Sequence, residues 1–422
     1  MAESATIVAD QISYEDLYAR WEQQNWQATA IDFTVDRQHW HNEFSDLERR
    51  AALWNYALFF HGEDAVADNL SPYIDAAPRE EQKYFLATQQ VDEARHSVFF
   101  GRFMREVVDY SGDFAGLLER TRPELTWGFR KTFELLDEVA DRLRRDRSRP
   151  QLAAAICLYH LVIEGTLAQT GQHFIEDYLT ERDLLPGFRE GMHNVARDEQ
   201  RHIAFGVRML YDLQREDPDC RHAVAELLRE VLPYSVALFI PPRFDRRYTE
   251  VFGRTVEEIF AIGAASLEQK LRAAGMPVEE LPGPPVMPLG LSAEERARRA
   301  VKLIEAGVLG APNGSPRRDR ETMELLFDFV ARTIDPRAAN GGLAVQWEFD
   351  DAEPWFIRVQ GGEVRAEQGR LESPDVTLAM SYDDWVALVA GREDPRKLLV
   401  RRRLRPRGKL RSLWRVARTL GR

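Results

Sequence analysis

Two cysteines in 422 residues, Cys157 and Cys220, are too few and too far apart for a disulfide framework or a cysteine zinc cluster. Cysteine usage of this kind suits a reducing compartment, and a cytoplasmic protein is expected. No run approaches the ~18 uncharged apolar residues that a bilayer span requires. Met1-Ala2-Glu3-Ser4 has neither a basic start nor an apolar core, so no secretory signal is expected. Taken over the body of the chain, basic residues are outnumbered by acidic ones; one end is the reverse. Residues 396–422 hold 12 Lys and Arg and no acid, leaving 45 basic against 69 acidic side chains in the other 395 residues, a net of −24. A body this acidic excludes nucleic acid as its partner, whereas the basic tail is a separate local feature.

What is present is enough apolar residue, 44%, to build cores for two or three domains. Residues 45–275 read almost wholly as helix. Ser45-Asp46-Leu47-Glu48 is a capping box, and Ser71-Pro72 and Pro78 break the chain before the next helix. Helical stretches follow at 124–146 and 151–179, Pro186 opens another, and Pro233 and Pro241-Pro242 punctuate the chain before a last long helix at 255–274. Five prolines then fall within 276–291, which reads as a semi-rigid spacer. Beyond it the pattern is mixed. Ser292 caps a further helix, 320–334 is helical, 343–349, 355–359 and 376–380 are strand-like with Gly361-Gly362 as a turn, and helices close the chain at 382–391 and 408–420. The expected organisation is a mainly α domain over 1–276, a linker over 277–291 and a smaller α+β domain over 292–422.

Chemistry concentrates in four places: Glu63, the run Asp92-Glu93-Ala94-Arg95-His96, Glu164, and the run Asp198-Glu199-Gln200-Arg201-His202. An E-x-x-H step sets a carboxylate and an imidazole one turn apart on one helix face. Two such steps, with one lone Glu from each of two other helices, form the ligand set of a carboxylate-bridged dinuclear metal centre in a ferritin-like four-helix bundle. Four carboxylates and two imidazoles neutralise two divalent ions and leave open positions for dioxygen. A single such step is an ordinary charged helix face; the near-identical pair, each downstream of a lone Glu, is what selects Glu63, Glu93, His96, Glu164, Glu199 and His202 as ligands. Glu63 and Glu164 sit in strongly apolar contexts, where an unpaired carboxylate is costly. Metal-bound imidazoles usually give their second N–H to a carboxylate, so Asp92 and Asp198 are expected to hold the histidine of the opposite run, against the simpler reading of surface charges. Arg95 and Arg201 would offset the acid. His160, one turn before Glu164, is either a further ligand or a histidine supporting the site from the core.

At these residues the chain resembles the ligand-binding oxidases related to the small subunit of ribonucleotide reductase. The resemblance spans about 31–274 and includes Ile31-Asp32-Phe33-Thr34, Gly62 to Val66, both E-x-x-H runs, and Tyr159 through Glu164-Gly165 to Thr170-Gly171. It implies a manganese/iron centre, with two irons as the alternative. It also implies an ether cross-link between a tyrosine five residues before the third ligand Glu and a valine three after the first, here Tyr159 and Val66; core packing is the plainer account of both. Phe100 stands where a reductase carries its radical tyrosine, and Val195 where the related N-oxygenases add a histidine. Gln172-His173 replaces tyrosines that such oxidases tend to place after the Thr-Gly pair.

From about 322 the chain resembles a sterol-carrier-protein type lipid-binding domain, through Val345-Gln346-Trp347-Glu348-Phe349, Gly361-Gly362, Pro374-Asp375 and the segments up to Asp394-Pro395. Its departure is the Arg-rich end. Leu410, Leu413, Trp414, Ala417 and Leu420 form an apolar stripe, which either packs on the domain's own sheet or makes a peripheral membrane contact. Together these features lead to an oxygen-activating oxidase or oxygenase that attacks a C–H bond of an apolar, fatty-acyl or polyketide-like substrate. Dioxygen and an electron donor of unspecified kind would be its other partners, and a homodimer its expected form. The alternatives are a lipid-binding or redox-sensing protein with a self-processing metal site, and an N-oxygenase.

Overall fold

The computed structural model describes residues 8–281, 288–310, 316–339 and 342–420. Met1 to Ser4 and part of the proline-rich stretch, 282–287, lie outside them. The chain divides into two compact units, Met1–Pro284 with Leu289–Ala297, and Pro285–Pro288 with Arg298–Arg422.

The first unit is helical. Ser45 and Glu48 form the capping box that opens Asp46–Asn69, with Ser45 N donating to Glu48 at 2.6 Å. The second long helix is Glu80–Glu106, and Trp127–Arg145 occupies the predicted stretch beyond it. Arg149–Glu181 is one continuous helix, but Cys157–Ala168 within it has π rather than α hydrogen bonding, a change the sequence reading did not foresee. This helix is long and apolar enough to cross a membrane, yet 83% of its most apolar window is buried in protein. It is the core helix of the bundle.

Pro186 opens Pro186–Glu216 as expected, by a route not visible locally. Leu185 precedes it at φ 48° and offers no capping side chain. Asp36 does that work from a distant helix, accepting from Gly187 N at 2.9 Å and Phe188 N at 2.7 Å. Gly187 must be glycine, since a Cβ there would lie 2.3 Å from Asp32 O. Pro233 does not punctuate: Asp219–Leu238 runs through it. The expected closing helix is Val256–Ala273, with Thr255 and Glu258 as its capping box. The start of the proline-rich stretch belongs to this unit's packing, because Met276, Val278 and Leu281 are buried and Arg221 pairs with Glu280 at 2.9 Å.

The second unit is α+β. Five strands, β1 (Leu343–Phe349), β2 (Trp355–Gln360), β3 (Glu363–Gln368), β4 (Val376–Met380) and β5 (Arg405–Gly408), lie in the order β3-β2-β1-β4-β5. Only β1 and β4 are parallel. Gly361 and Gly362 have φ of 61° and 86°, the left-handed pair that a tight hairpin between β2 and β3 needs. Phe327 of the helix Arg320–Thr333 stacks on Trp355 at 4.8 Å and Trp385 at 4.3 Å, filling the space over the sheet. The final helix, Leu410–Leu420, buries Val416 and Thr419, while Leu410 and Trp414 of its apolar stripe are 73% and 72% exposed.

Candidate metal centre

Each of the six side chains singled out by spacing comes from one of four helices. Glu63 lies on Asp46–Asn69, Glu93 and His96 on Glu80–Glu106, Glu164 on the π segment, and Glu199 and His202 on Pro186–Glu216. All six are buried. They form two groups, Glu63 with Glu93, His96 and Glu199, and Glu93 with Glu164, Glu199 and His202; in each, one ligand atom per residue lies within 4.8 Å of the others. Glu93 and Glu199 belong to both groups, so they are the carboxylates that can bridge.

His96 Nδ1 is 3.1 Å from Glu63 and 3.4 Å from Glu93. His202 Nδ1 is 3.3 Å from both Glu93 and Glu164, at ion-pair distance but without hydrogen-bond geometry. Glu93, Glu164 and Glu199 each keep one oxygen that has no hydrogen-bond partner among the described residues. Buried carboxylate oxygens and an imidazole nitrogen that converge without satisfying one another fit ions placed between them. The donor set suits two divalent cations, four negative charges against four positive.

The outer nitrogens are held in a crossed pattern. His96 Nε2 is 3.2 Å from Asp198, and His202 Nε2 is 3.1 Å from Asp92. Around the two aspartates sit Arg95, 3.0 Å from Asp92, and Arg201, 3.1 Å from Asp92 and 2.6 Å from Asp198. Trp21 Nε1 donates to Asp92 at 2.9 Å and Trp26 Nε1 to Asp198 at 2.7 Å. Both tryptophans escaped the sequence reading, because nothing in their local pattern marks residues 71 and 172 positions away from their partners. Gln89 was missed too. Its Nε2 donates to Glu164 at 2.8 Å, and its Oε1 is 3.1 Å from His160 Nε2. Its place one turn before Glu93 on the same face was the available signal. His160 therefore supports Glu164 through Gln89; burial pushes its pKa down to about 3, so the ring is neutral. Tyr159 OH donates to Glu93 at 3.0 Å, and Val66 lines the cavity that Glu63, Glu93, Glu164 and Glu199 also line.

Just over half of the chain, residues 7–236, matches the family "ribonucleotide reductase, small chain". The chain belongs to that family. Residues 331–420 match the SCP-2 sterol transfer family, in the α+β unit. Among solved structures, three variants of an R2-like ligand-binding oxidase with a reconstituted Mn/Fe cofactor share the small-chain fold. They are 23–24% identical, with TM-scores of 0.53–0.54, and the match covers 62–63% of this chain and 93–94% of theirs.

Within this small-chain framework the electrostatics make metal loading a proton exchange. Burial raises Glu63 to about 7 and Glu164 to about 8. Burial also raises Glu199 well above the usual range, and Glu164, Glu93 and Glu63 add to it. On Glu93 burial acts upward as well but is outweighed by His202 and His96, which hold it well below that range. Without metal, Glu63 and Glu164 hold protons near neutrality; a bound cation requires the carboxylates. Loading should therefore release protons, and apparent affinity should rise with pH between about 6 and 8. Affinity that stays flat over that interval, followed by chelator competition, would contradict this charge assignment.

Asp198→Ala should weaken metal binding by ~10- to 100-fold while the bundle stays folded, the usual cost of losing a carboxylate behind a ligand histidine. Unchanged affinity in a chelator titration would reduce Asp198 to a partner of Arg201.

Proposed function

We propose that this chain is an oxygen-activating dinuclear-metal oxidase or oxygenase acting on a C–H bond of an apolar, acyl-type substrate. The observation that carries this reading is where the centre opens. Glu63, Glu93, Glu164 and Glu199 line a cavity whose other lining residues are apolar or glycine, among them Leu58, Phe59, Val66, Phe129, Phe133, Ile163, Leu167, Leu238 and Phe239, with Asn55 as the one further polar side chain. Its empty volume is ≈ 510 Å³ including its mouth. A strongly acidic cluster facing an apolar space is suited to presenting carbon, not a charged group, to the metals.

Two metals bound here would supply the redox chemistry that activates dioxygen. Manganese with iron is the proposed pair, as in the similar oxidase structures, with two irons as the alternative. Glu63 and Glu164 would each hold one metal, and Glu93 and Glu199, which belong to both ligand groups, would serve the pair. Asp92 and Asp198 fix the imidazole orientation, and the aromatic wall keeps water from the reacting face. Tyr159 OH, directed at Glu93, would join Val66 in an ether. Phe100 disfavours a reductase role, since this buried ring has no hydroxyl to oxidise.

The SCP-2 unit is proposed to bind a lipid or acyl group and raise its concentration near the bundle. Purified full-length protein, loaded with metal and given a reductant, should consume dioxygen over many turnovers when a long-chain acyl substrate is added. Residues 1–281 alone should keep both metals but turn over less efficiently at low substrate. A single stoichiometric burst with no further uptake would instead favour a sensing or self-processing protein. Equal efficiency of the two forms would remove the delivery role.

A further inference from the structure

Glu164 stands near the end of the π segment, whose last residue, Ala168, is one turn further on. Gln169 N donates back to Glu164 O and Thr166 O and passes over Gly165 O. Return from five-residue to four-residue bonding leaves one carbonyl without its helical partner, and here that carbonyl is next to the ligand. Gly165 is buried, so its oxygen needs a donor from elsewhere.

The closing helix, Val256–Ala273, supplies it. Ser266 Oγ is 2.7 Å from Gly165 O and 3.3 Å from Gln169 Oε1. Lys270 Nζ donates to Ser266 Oγ at 2.5 Å and to Gln169 Oε1 at 2.8 Å. An ammonium group has hydrogens to give and no lone pair to offer. Ser266 therefore accepts from Lys270, and its own hydrogen is left for the nearer oxygen, that of Gly165. The stem of Lys270 also fills the space beside Gly165, where a Cβ would lie 2.6 Å from Lys270 Cδ.

Lys270 is 4% exposed and has no carboxylate partner among the described residues. Burial lowers its pKa to about 8, which leaves it charged at neutral pH. A buried charge without a counter-charge is costly, and a methionine would fill the same space without that cost. What the charge adds is the orientation of the Ser266 hydroxyl. We infer that Ser266 and Lys270 are positioning residues for Glu164, bracing the end of the π segment and so directing that carboxylate to its metal position. This inference rests on the proposed ligand groups, in which Glu164 belongs to one position only. Glu63, Glu93, His96 and Glu199 stand on helices that make none of these bonds, so the brace should act on one metal and not the other.

The test is manganese(II) affinity of the full chain by chelator competition, in two backgrounds that each hold one metal. Glu63→Ala retains the position that uses Glu164, and Glu164→Ala retains the position that does not. Adding Ser266→Ala or Lys270→Met should weaken binding about 10-fold in the first background. In the second it should change nothing. Ser266→Thr, which keeps the hydroxyl, should bind as tightly as the unsubstituted background. A general loss of stability acts on both positions, so the difference between backgrounds isolates Glu164. Should Lys270→Met fail to fold, the two Ser266 variants decide. Equal weakening in both backgrounds would reduce the pair to ordinary packing residues, and unchanged affinity in both would remove the brace. Ser266→Thr binding as weakly as Ser266→Ala would also count against it. Each of these results overturns the inference and leaves the metal centre standing. No metal, or two, bound in either background would overturn the ligand groups and the inference with them.

Discussion

Glu199→Ala is expected to abolish binding at both metal positions, whereas Glu63→Ala should cost one metal and leave the other. The difference follows from the sharing of Glu93 and Glu199 between the two ligand groups, while Glu63 and Glu164 each belong to one. Elemental analysis of the full-length variants after loading should read about two metals per chain in the parent, about one in Glu63→Ala and Glu164→Ala, and close to none in Glu93→Ala and Glu199→Ala. Loss of metal need not mean loss of fold. Burial and the neighbouring Glu164, Glu93 and Glu63 already disfavour the ionised form of Glu199, so its removal relieves the metal-free bundle. The metal-free Glu199→Ala chain should melt no lower than the metal-free parent. Two metals retained in Glu199→Ala would show that the shared carboxylate does not bridge.

The second large effect concerns Tyr159 and Val66. Aerobic loading should convert their two peptides into one linked species, two hydrogens lighter than the sum, as the tyrosine O–H and a valine C–H are lost and dioxygen is reduced. Tyr159 OH is already directed at Glu93, 3.0 Å away, and Val66 lies one turn past Glu63 in the cavity wall. Mass spectrometry after proteolysis should find the linked species only when dioxygen is present, and never in Tyr159→Phe. Unmodified peptides alone after complete oxidation would remove the ether and leave the oxygenase reading to stand on turnover.

The parts of the site legible in the sequence were those written as spacing within a helix. Glu93 with His96 and Glu199 with His202 are adjacent on their helix faces, and a Glu on a helix with an apolar face, as at 63, or directly after an apolar run, as at 164, announces a buried charge that needs a partner. The parts that were not legible depend on long-range contact or on backbone detail. Trp21 and Trp26 reach Asp92 and Asp198 from the N-terminal segment, with no periodic signal to connect them. The π hydrogen bonding of Cys157–Ala168 is hidden because most residues there are apolar, so a shift in helical period leaves little change in pattern.

The fold divides in the same way. Capping boxes at Ser45 and Thr255 and the glycine pair at 361–362 mark real element ends, each through a local hydrogen bond or a left-handed backbone. Strand β3 and strand β5 carry exposed, charged sequences such as Glu363-Val364-Arg365 and Arg405-Pro406-Arg407, typical of sheet edges and poor in the alternation that identifies a strand. The final helix illustrates a different limit. Its apolar stripe was legible, but which face the sheet would take was not, and the sheet took Val416 and Thr419.

The central claim is a pair of metals held by four carboxylates and two imidazoles at the head of an apolar cavity. Anomalous diffraction from crystals of the aerobically loaded full-length protein, recorded at the iron and manganese edges, tests it most directly. The account predicts two peaks. One should lie among Glu63, Glu93, His96 and Glu199, the other among Glu93, Glu164, Glu199 and His202, with Glu93 and Glu199 touching both. A single peak, or metal bound away from these six side chains, would contradict it.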